Sequence, residues 1–101
     1  MLFAFSVAPS TTDDPNGSVS EAVAAALMVV QDSGLLHELV SMFTTVEGEW
    51  DECMTVIKHA TEAVARFSPR VSLVVKADIR PGYDGQITAK VARVREHLKE
   101  S

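Results

Sequence analysis

The stretch that decides the fold is Val71-Ser72-Leu73-Val74-Val75-Lys76-Ala77-Asp78-Ile79-Arg80. Val71, Leu73, Val75, Ala77 and Ile79 share one parity, while Ser72, Val74, Lys76, Asp78 and Arg80 share the other, so a strand here has one apolar side and one side that carries chemistry. Pro69 precedes it and ends a segment, Trp50 to Phe67, whose apolar residues Trp50, Cys53, Met54, Ile57, Ala60, Val64 and Phe67 follow a helical period. Glu49, Asp51 and Glu52 at the start of that segment complement the helix dipole. A helix running into a strand therefore forms the second half of the chain.

The first half has the same order. Leu2 to Ala8 places Phe3, Phe5 and Val7 on one parity and the small Ala4, Ser6 and Ala8 on the other, as a strand would. The turn-forming cluster Ser10 to Gly17 follows as a loop able to approach a ligand. Ser18 and Glu21 have capping-box spacing, and Val19, Val23, Ala26, Leu27 and Val30 form the stripe of a first helix ending before Gly34. Leu35 to Glu47, rich in Thr, Val and Phe, suits two short strands with a turn near Ser41-Met42. Beyond Arg80, Pro81-Gly82-Tyr83-Asp84-Gly85 is a turn, and Ile87, Val91, Val94 and Leu98 mark a C-terminal amphipathic helix.

This order predicts an α+β fold: a ferredoxin-like βαββαβ sandwich, with a four-stranded antiparallel sheet, two helices on one face and an extra C-terminal helix. Residues 1–101 make a single domain, and a chain of this length can bury one sizeable core. The second sheet face is expected to be covered in part by another subunit or a ligand.

Composition narrows the function. The chain is 47% hydrophobic and 23% charged, which excludes a disordered segment. Its net charge of -5 and nine scattered Lys and Arg residues offer no basic stripe for nucleic acid. Met1 to Phe5 lacks a basic flank and runs into Pro9 too soon for a signal peptide or membrane span, so it reads as a strand of the mature domain. One cysteine, Cys53, cannot form an internal disulfide, in keeping with a cytoplasmic protein. Among acidic neighbours inside an apolar stripe, it reads as a packed core thiol and not a nucleophile. His37, His59 and His97 lie on three different elements and lack ligand spacing, so no metal is expected. Trp50 could stack on a ligand ring, but a lone Trp at the start of an amphipathic helix more often makes a contact closing the core. No P-loop, CxxC, HExxH or glycine-rich dinucleotide turn is present, so the sequence does not point to an enzyme or to a cofactor.

The informative residues lie on strands. Phe43, Thr45 and Glu47 share a face of the third strand; Lys76, Asp78 and Arg80 share a face of the fourth; in this topology both strands flank the first, which brings Ser6. These positions are also compatible with a solvated face of ordinary ion pairs.

Phe3-Ala4-Phe5-Ser6-Val7-Ala8-Pro9 with its Ser/Thr-rich loop, Met42-Phe43-Thr44-Thr45-Val46-Glu47-Gly48-Glu49, and Val75-Lys76-Ala77-Asp78-Ile79-Arg80 together resemble the YkoF-like thiamine-binding family. The resemblance implies a ferredoxin-like subunit that assembles through its sheets into dimers or tetramers. It also implies non-catalytic binding of thiamine or its hydroxymethylpyrimidine moiety near the sheet and a subunit boundary. The family usually has a small residue after the hairpin methionine, where this chain has Phe43. On this reading Ser6, Phe43, Thr45, Glu47, Lys76, Asp78 and Arg80 bind the ligand. Glu47, Thr45 and Ser6 would hydrogen-bond the aminopyrimidine; Asp78 and Phe43 would face the thiazolium; Lys76 and Arg80 would orient the carboxylates or accept a phosphate. The expected partners are the small ligand and further copies of the chain, paired through sheet faces or through edge strands two or four, with neither nucleic acid nor membrane. Competing readings are a ferredoxin-like regulatory or oligomerisation module for another small ligand, and an enzyme using Glu47 or Asp78 as general base.

Overall fold

The computed structural model describes residues 1–10 and 20–100, with the backbone alone at Glu100. The elements run β1 (Leu2–Pro9), α1 (Ser20–Ser33), β2 (Leu36–Leu39), β3 (Thr44–Glu47), α2 (Trp50–Ala65), β4 (Val71–Asp78) and α3 (Gln86–Glu100). The strands form one antiparallel sheet in the order β2-β3-β1-β4. This is the ferredoxin-like arrangement with an added C-terminal helix.

Period two and register divide the sheet into two faces. Phe3 pairs with Val46 and Ala77, and Phe5 with Thr44 and Val75, so these residues point to the helices. Leu2, Ala4, Ser6 and Ala8 point the other way with Glu47, Thr45, Asp78, Lys76, Val74 and Ser72. The core forms where Phe3, Phe5, Val7 and Val46 meet Ala22, Ala26 and Val30 of α1 and Cys53, Ile57, Ala60 and Val64 of α2. Each large apolar side chain buried there contributes about 1.5–3 kcal/mol. The Phe3 ring also takes the edge of Trp50 at 5.6 Å and 72°, closing the core at that end.

The first helix differs from the expected stripe. Its buried line is Ala22, Ala26 and Val30, with Val23 and Leu27 only half-buried and Val19 outside the described residues. Small residues face α2 and the sheet because they let the helices approach closely. The larger Val23 and Leu27 are turned toward the β2–β3 hairpin, where they line a cavity. The expected Ser18 cap and most of the Ser10–Gly17 loop also fall outside the described residues. At its other end α1 stops at Gly34, whose φ of +74° only glycine adopts without strain, and Ser33 Oγ accepts the N–H of Leu35.

Two further boundaries differ. Helix α2 ends at Ala65, leaving Phe67 outside it and 43% exposed, and β4 ends at Asp78, two residues short of Arg80. Strand β4 has the expected alternation, yet its helix-facing side is open. Leu73 and Val75 remain 42% and 37% exposed because the helix layer packs over β1 and leaves the outer strand largely uncovered.

The sheet face opposite α1 and α2 was expected to be covered by another subunit or a ligand. Part of it carries α3 of the same chain, which begins beside β3 and extends outward. The resulting shape measures 49 × 32 × 19 Å with a radius of gyration of 15.3 Å. A compact domain of this length would have about 13 Å.

Candidate functional site

The expected site residues separate into two places. Glu47, at the end of β3, is buried, and both carboxylate oxygens are engaged. Oε2 accepts the N–H of Gly85 at 2.7 Å and Oε1 accepts the N–H of Ile87 at 3.0 Å. Gly85, at φ +68°, immediately precedes α3, so a carboxylate from the sheet satisfies N–H groups that a helix start leaves unpaired and lies at the positive end of the helix dipole. Asp78 pairs with Lys90 of α3, and this ammonium holds its carboxyl below the usual carboxylate range, with a smaller contribution from Arg80. The Arg80 guanidinium lies 3.7 Å from the centroid of the Tyr83 ring in the turn leading to α3. Glu47 and Asp78 thus secure α3 over the open face, while Arg80 braces the turn before it. Thr45, half-buried opposite Ala4 and Glu38, and the exposed Lys76 lie on the same face.

Ser6 and Phe43 belong to a different place. They line a half-open cavity of about 160 Å³ walled by the second half of β1, by Val23, Ala26 and Leu27 of α1, and by the hairpin from Leu39 to Thr44. Its origin lies in the register. Pairing of β1 with β3 ends at Phe5–Thr44, and the chain before Thr44 turns away through a bond from the Val40 N–H to the Phe43 carbonyl at 3.0 Å. Bonds from the Gly48 N–H to the Met1 carbonyl and from the Ser10 N–H to the Arg70 carbonyl fix the alternation along β1. Odd residues address β3 and even residues address β4. Val7 therefore presents its N–H and C=O toward the side where β3 has already ended. The rim is apolar and exposed: Leu39, Val40 and Met42 are 59%, 51% and 76% accessible.

Sequence reasoning missed Val7, Leu27 and Val40 as wall residues. The available signal was Leu39-Val40-Ser41-Met42-Phe43, an apolar run at the tip of a hairpin, where turn residues are ordinarily polar.

Elsewhere, Cys53 is fully buried and its thiol is pushed up to about 11, chiefly by burial and further by the carboxylates of Glu52, Glu47 and Glu49, against a lowering by the amino terminus. A thiol so protonated is a poor nucleophile. Among the described residues, no group of three His, Cys, Asp or Glu side chains could hold a metal, and no helix is long and apolar enough to cross a membrane.

Comparison with known proteins places this architecture. A family model described as thiamine-binding protein matches residues 3–95. The UPF0045 protein Mb1933 of Mycobacterium bovis is 46% identical over 99 residues, covering 97% of this chain and 94% of the relative. A UPF0045 protein of Synechocystis is 33% identical over 85 residues, covering 83% of this chain and 70% of the relative. Among solved structures, the Bacillus cereus domain of unknown function DUF77 is similar with a TM-score of 0.81 at 33% identity, covering 95% of this chain and 90% of that one. A Thermotoga maritima candidate thiamine biosynthesis/salvage protein has a TM-score of 0.73 at 25% identity, covering 89% and 96%. The match runs from β1 into α3 and includes every strand, and on it the chain belongs to the thiamine-binding protein family.

Proposed function

We propose that the chain binds thiamine or its hydroxymethylpyrimidine moiety without transforming it, acting as a carrier, buffer or sensor, and that the pyrimidine ring enters the cavity between β1, α1 and the hairpin. The observation that carries this reading is the release of β1 from β3 beyond Phe5, which turns the Val7 N–H and C=O toward an apolar cavity of about 160 Å³. An apolar cavity of about 150 Å³ takes a benzene-sized ring. An aminopyrimidine edge carries a ring nitrogen that accepts and an exocyclic amine that donates, and a strand edge offers the complementary donor and acceptor. Family membership and the candidate salvage role of the Thermotoga relative support the choice of ligand.

With the pyrimidine inside, a thiazolium would extend toward the rim, where Phe43 can offer a π-face and Met42 an adaptable thioether. Ser6 borders the cavity, but its side chain points to the opposite sheet face with Lys76 and Asp78, so it bounds the site without reaching the ring. Glu47 and Asp78 then act at a distance by holding α3, and Arg80 by bracing the turn before it, while Thr45 and Lys76 lie on that same far face.

Calorimetric titration of the protein with hydroxymethylpyrimidine, thiamine and thiamine phosphate tests the reading. Saturable heat from hydroxymethylpyrimidine and thiamine, weakened in Phe43→Ala, is the expected result. No heat from any of the three at millimolar concentration overturns it.

A further inference from the structure

Charge is divided along this chain. All nine Lys and Arg lie from Lys58 to Lys99, while nine of the fourteen Asp and Glu lie from Asp13 to Glu52. The cavity between β1, α1 and the hairpin is walled by residues 5–44, so its walls come wholly from the half that has no Lys or Arg. Among the described residues, no charged side chain lines it. The polar side chains along it are hydroxyls: Thr44, buried and paired with Phe5, Ser41, exposed at the hairpin tip, and Ser6, which points to the other sheet face.

We propose that this cavity selects its ligand by charge, taking hydroxymethylpyrimidine as the free alcohol and rejecting its phosphate ester. The inference rests on the reading that the pyrimidine ring enters here. In the ester the phosphate is attached to the ring through a single methylene, so a seated ring draws about two negative charges into an apolar site. An anion taken out of water without a cation to pair with costs more than the burial of one ring returns. The free alcohol asks only for a neutral hydrogen bond, which the Thr44 or Ser41 hydroxyl or the Val7 backbone can give.

The groups that could hold a phosphate are elsewhere or opposed. Lys76 stands on the far sheet face, Lys90 pairs with Asp78, and the Arg80 guanidinium stacks on Tyr83. The first turn of α1, where an anion could meet unpaired N–H groups, already carries Glu21. Residues 11–19 contain Asp13 and Asp14 and no Lys or Arg, so they bring no cation to the ligand. The same distribution favours a thiazolium at the rim, because a negative field draws a cation over a Debye length of about 8 Å at physiological salt. In thiamine phosphate the ester lies beyond the thiazolium and near solvent, where screening makes its penalty smaller. A carrier, buffer or sensor built this way follows the free alcohol and is blind to the ester.

The test is calorimetric titration of the protein and of Ser41→Lys with hydroxymethylpyrimidine and with its phosphate ester. Wild type should bind the ester at least about a hundredfold more weakly than the alcohol. Ser41→Lys places an ammonium at the exposed edge of the same cavity and should tighten the ester about tenfold, leaving the alcohol within about twofold. Salt gives a second reading on the unaltered chain: raising it should weaken thiamine severalfold and leave hydroxymethylpyrimidine unchanged. An ester bound within about threefold of the alcohol overturns charge selection while the pyrimidine site stands. An ester that gains nothing from Ser41→Lys, or thiamine binding indifferent to salt, overturns it as well. No heat from the alcohol itself removes the pyrimidine site and this inference together.

Discussion

Glu47 and Ile87, forty positions apart, are joined by a 3.0 Å hydrogen bond from the backbone of one to the carboxylate of the other. With the Gly85 N–H on the second oxygen, that carboxylate fixes where the C-terminal helix leaves the sheet. Most of α3 is exposed, with Val91 and Val94 40% and 59% accessible, so its position depends largely on this cap and on the pair between Asp78 and Lys90. Glu47→Ala should therefore release α3 selectively. Amide exchange should accelerate at Ile87 and Ala89, while Phe3 and Ile57 keep their protection, at a cost of about 1–3 kcal/mol for a charged hydrogen-bonding group removed from buried partners.

Acid should act on the same helix through Asp78. Its pKa lies below 3.8 in the folded chain, so folded Asp78 keeps its charge where the unfolded chain takes up a proton. The stabilisation is present above pH 3.8 and is lost as pH falls through the lowered folded value. Asp78→Asn should flatten that part of an acid titration of α3 followed by NMR, and high salt should mimic it, because both partners are about half exposed.

Alkaline pH should report on Cys53. The folded thiol titrates at about 11 against 9.0 in the unfolded chain, so between these values the unfolded state sheds a proton that the folded state retains. Stability should fall as pH rises from 9 to 11, and Cys53→Ala should remove that slope while costing some core packing. At pH 8 the thiol should react with an alkylating reagent only as fast as the protein opens.

The core makes a plain demand. Ile57 is 1% exposed between the helices and the sheet, and Ile57→Ala should cost about 2–5 kcal/mol in urea unfolding. A variant within 0.5 kcal/mol of wild type, as surface changes usually are, would contradict this packing.

How much was legible in the sequence follows from the range of the interactions. Alternation in Phe3-Ala4-Phe5 and in Val71–Ala77, and the stripe through Cys53, Ile57, Ala60 and Val64, are local patterns, and they give the strands, α2 and the ferredoxin-like order. The first helix was harder because Val23 and Leu27 are more hydrophobic than Ala22 and Ala26. Close packing against α2 nevertheless selects the smaller residues, and periodicity alone does not distinguish two adjacent apolar stripes. The face shared by Thr45, Glu47, Lys76 and Asp78 follows from parity, but the partners of Glu47 and Asp78 do not. Gly85, Ile87 and Lys90 lie on a later element whose docking no local pattern specifies. The cavity was least legible, since it exists because β3 is shorter than β1, and strand ends are set by long-range pairing.

The central claim is that a pyrimidine ring binds beside Val7, where β3 has ended, and the most direct measurement is a titration of isotope-labelled protein with hydroxymethylpyrimidine, followed amide by amide. Saturable shifts at Val7 and at Val40 to Thr44, with Gly85 and Ile87 unmoved, are the predicted result. Shifts confined to Gly85 and Ile87 would move the ligand to Glu47 on the opposite sheet face, and no shifts at millimolar ligand would contradict binding itself.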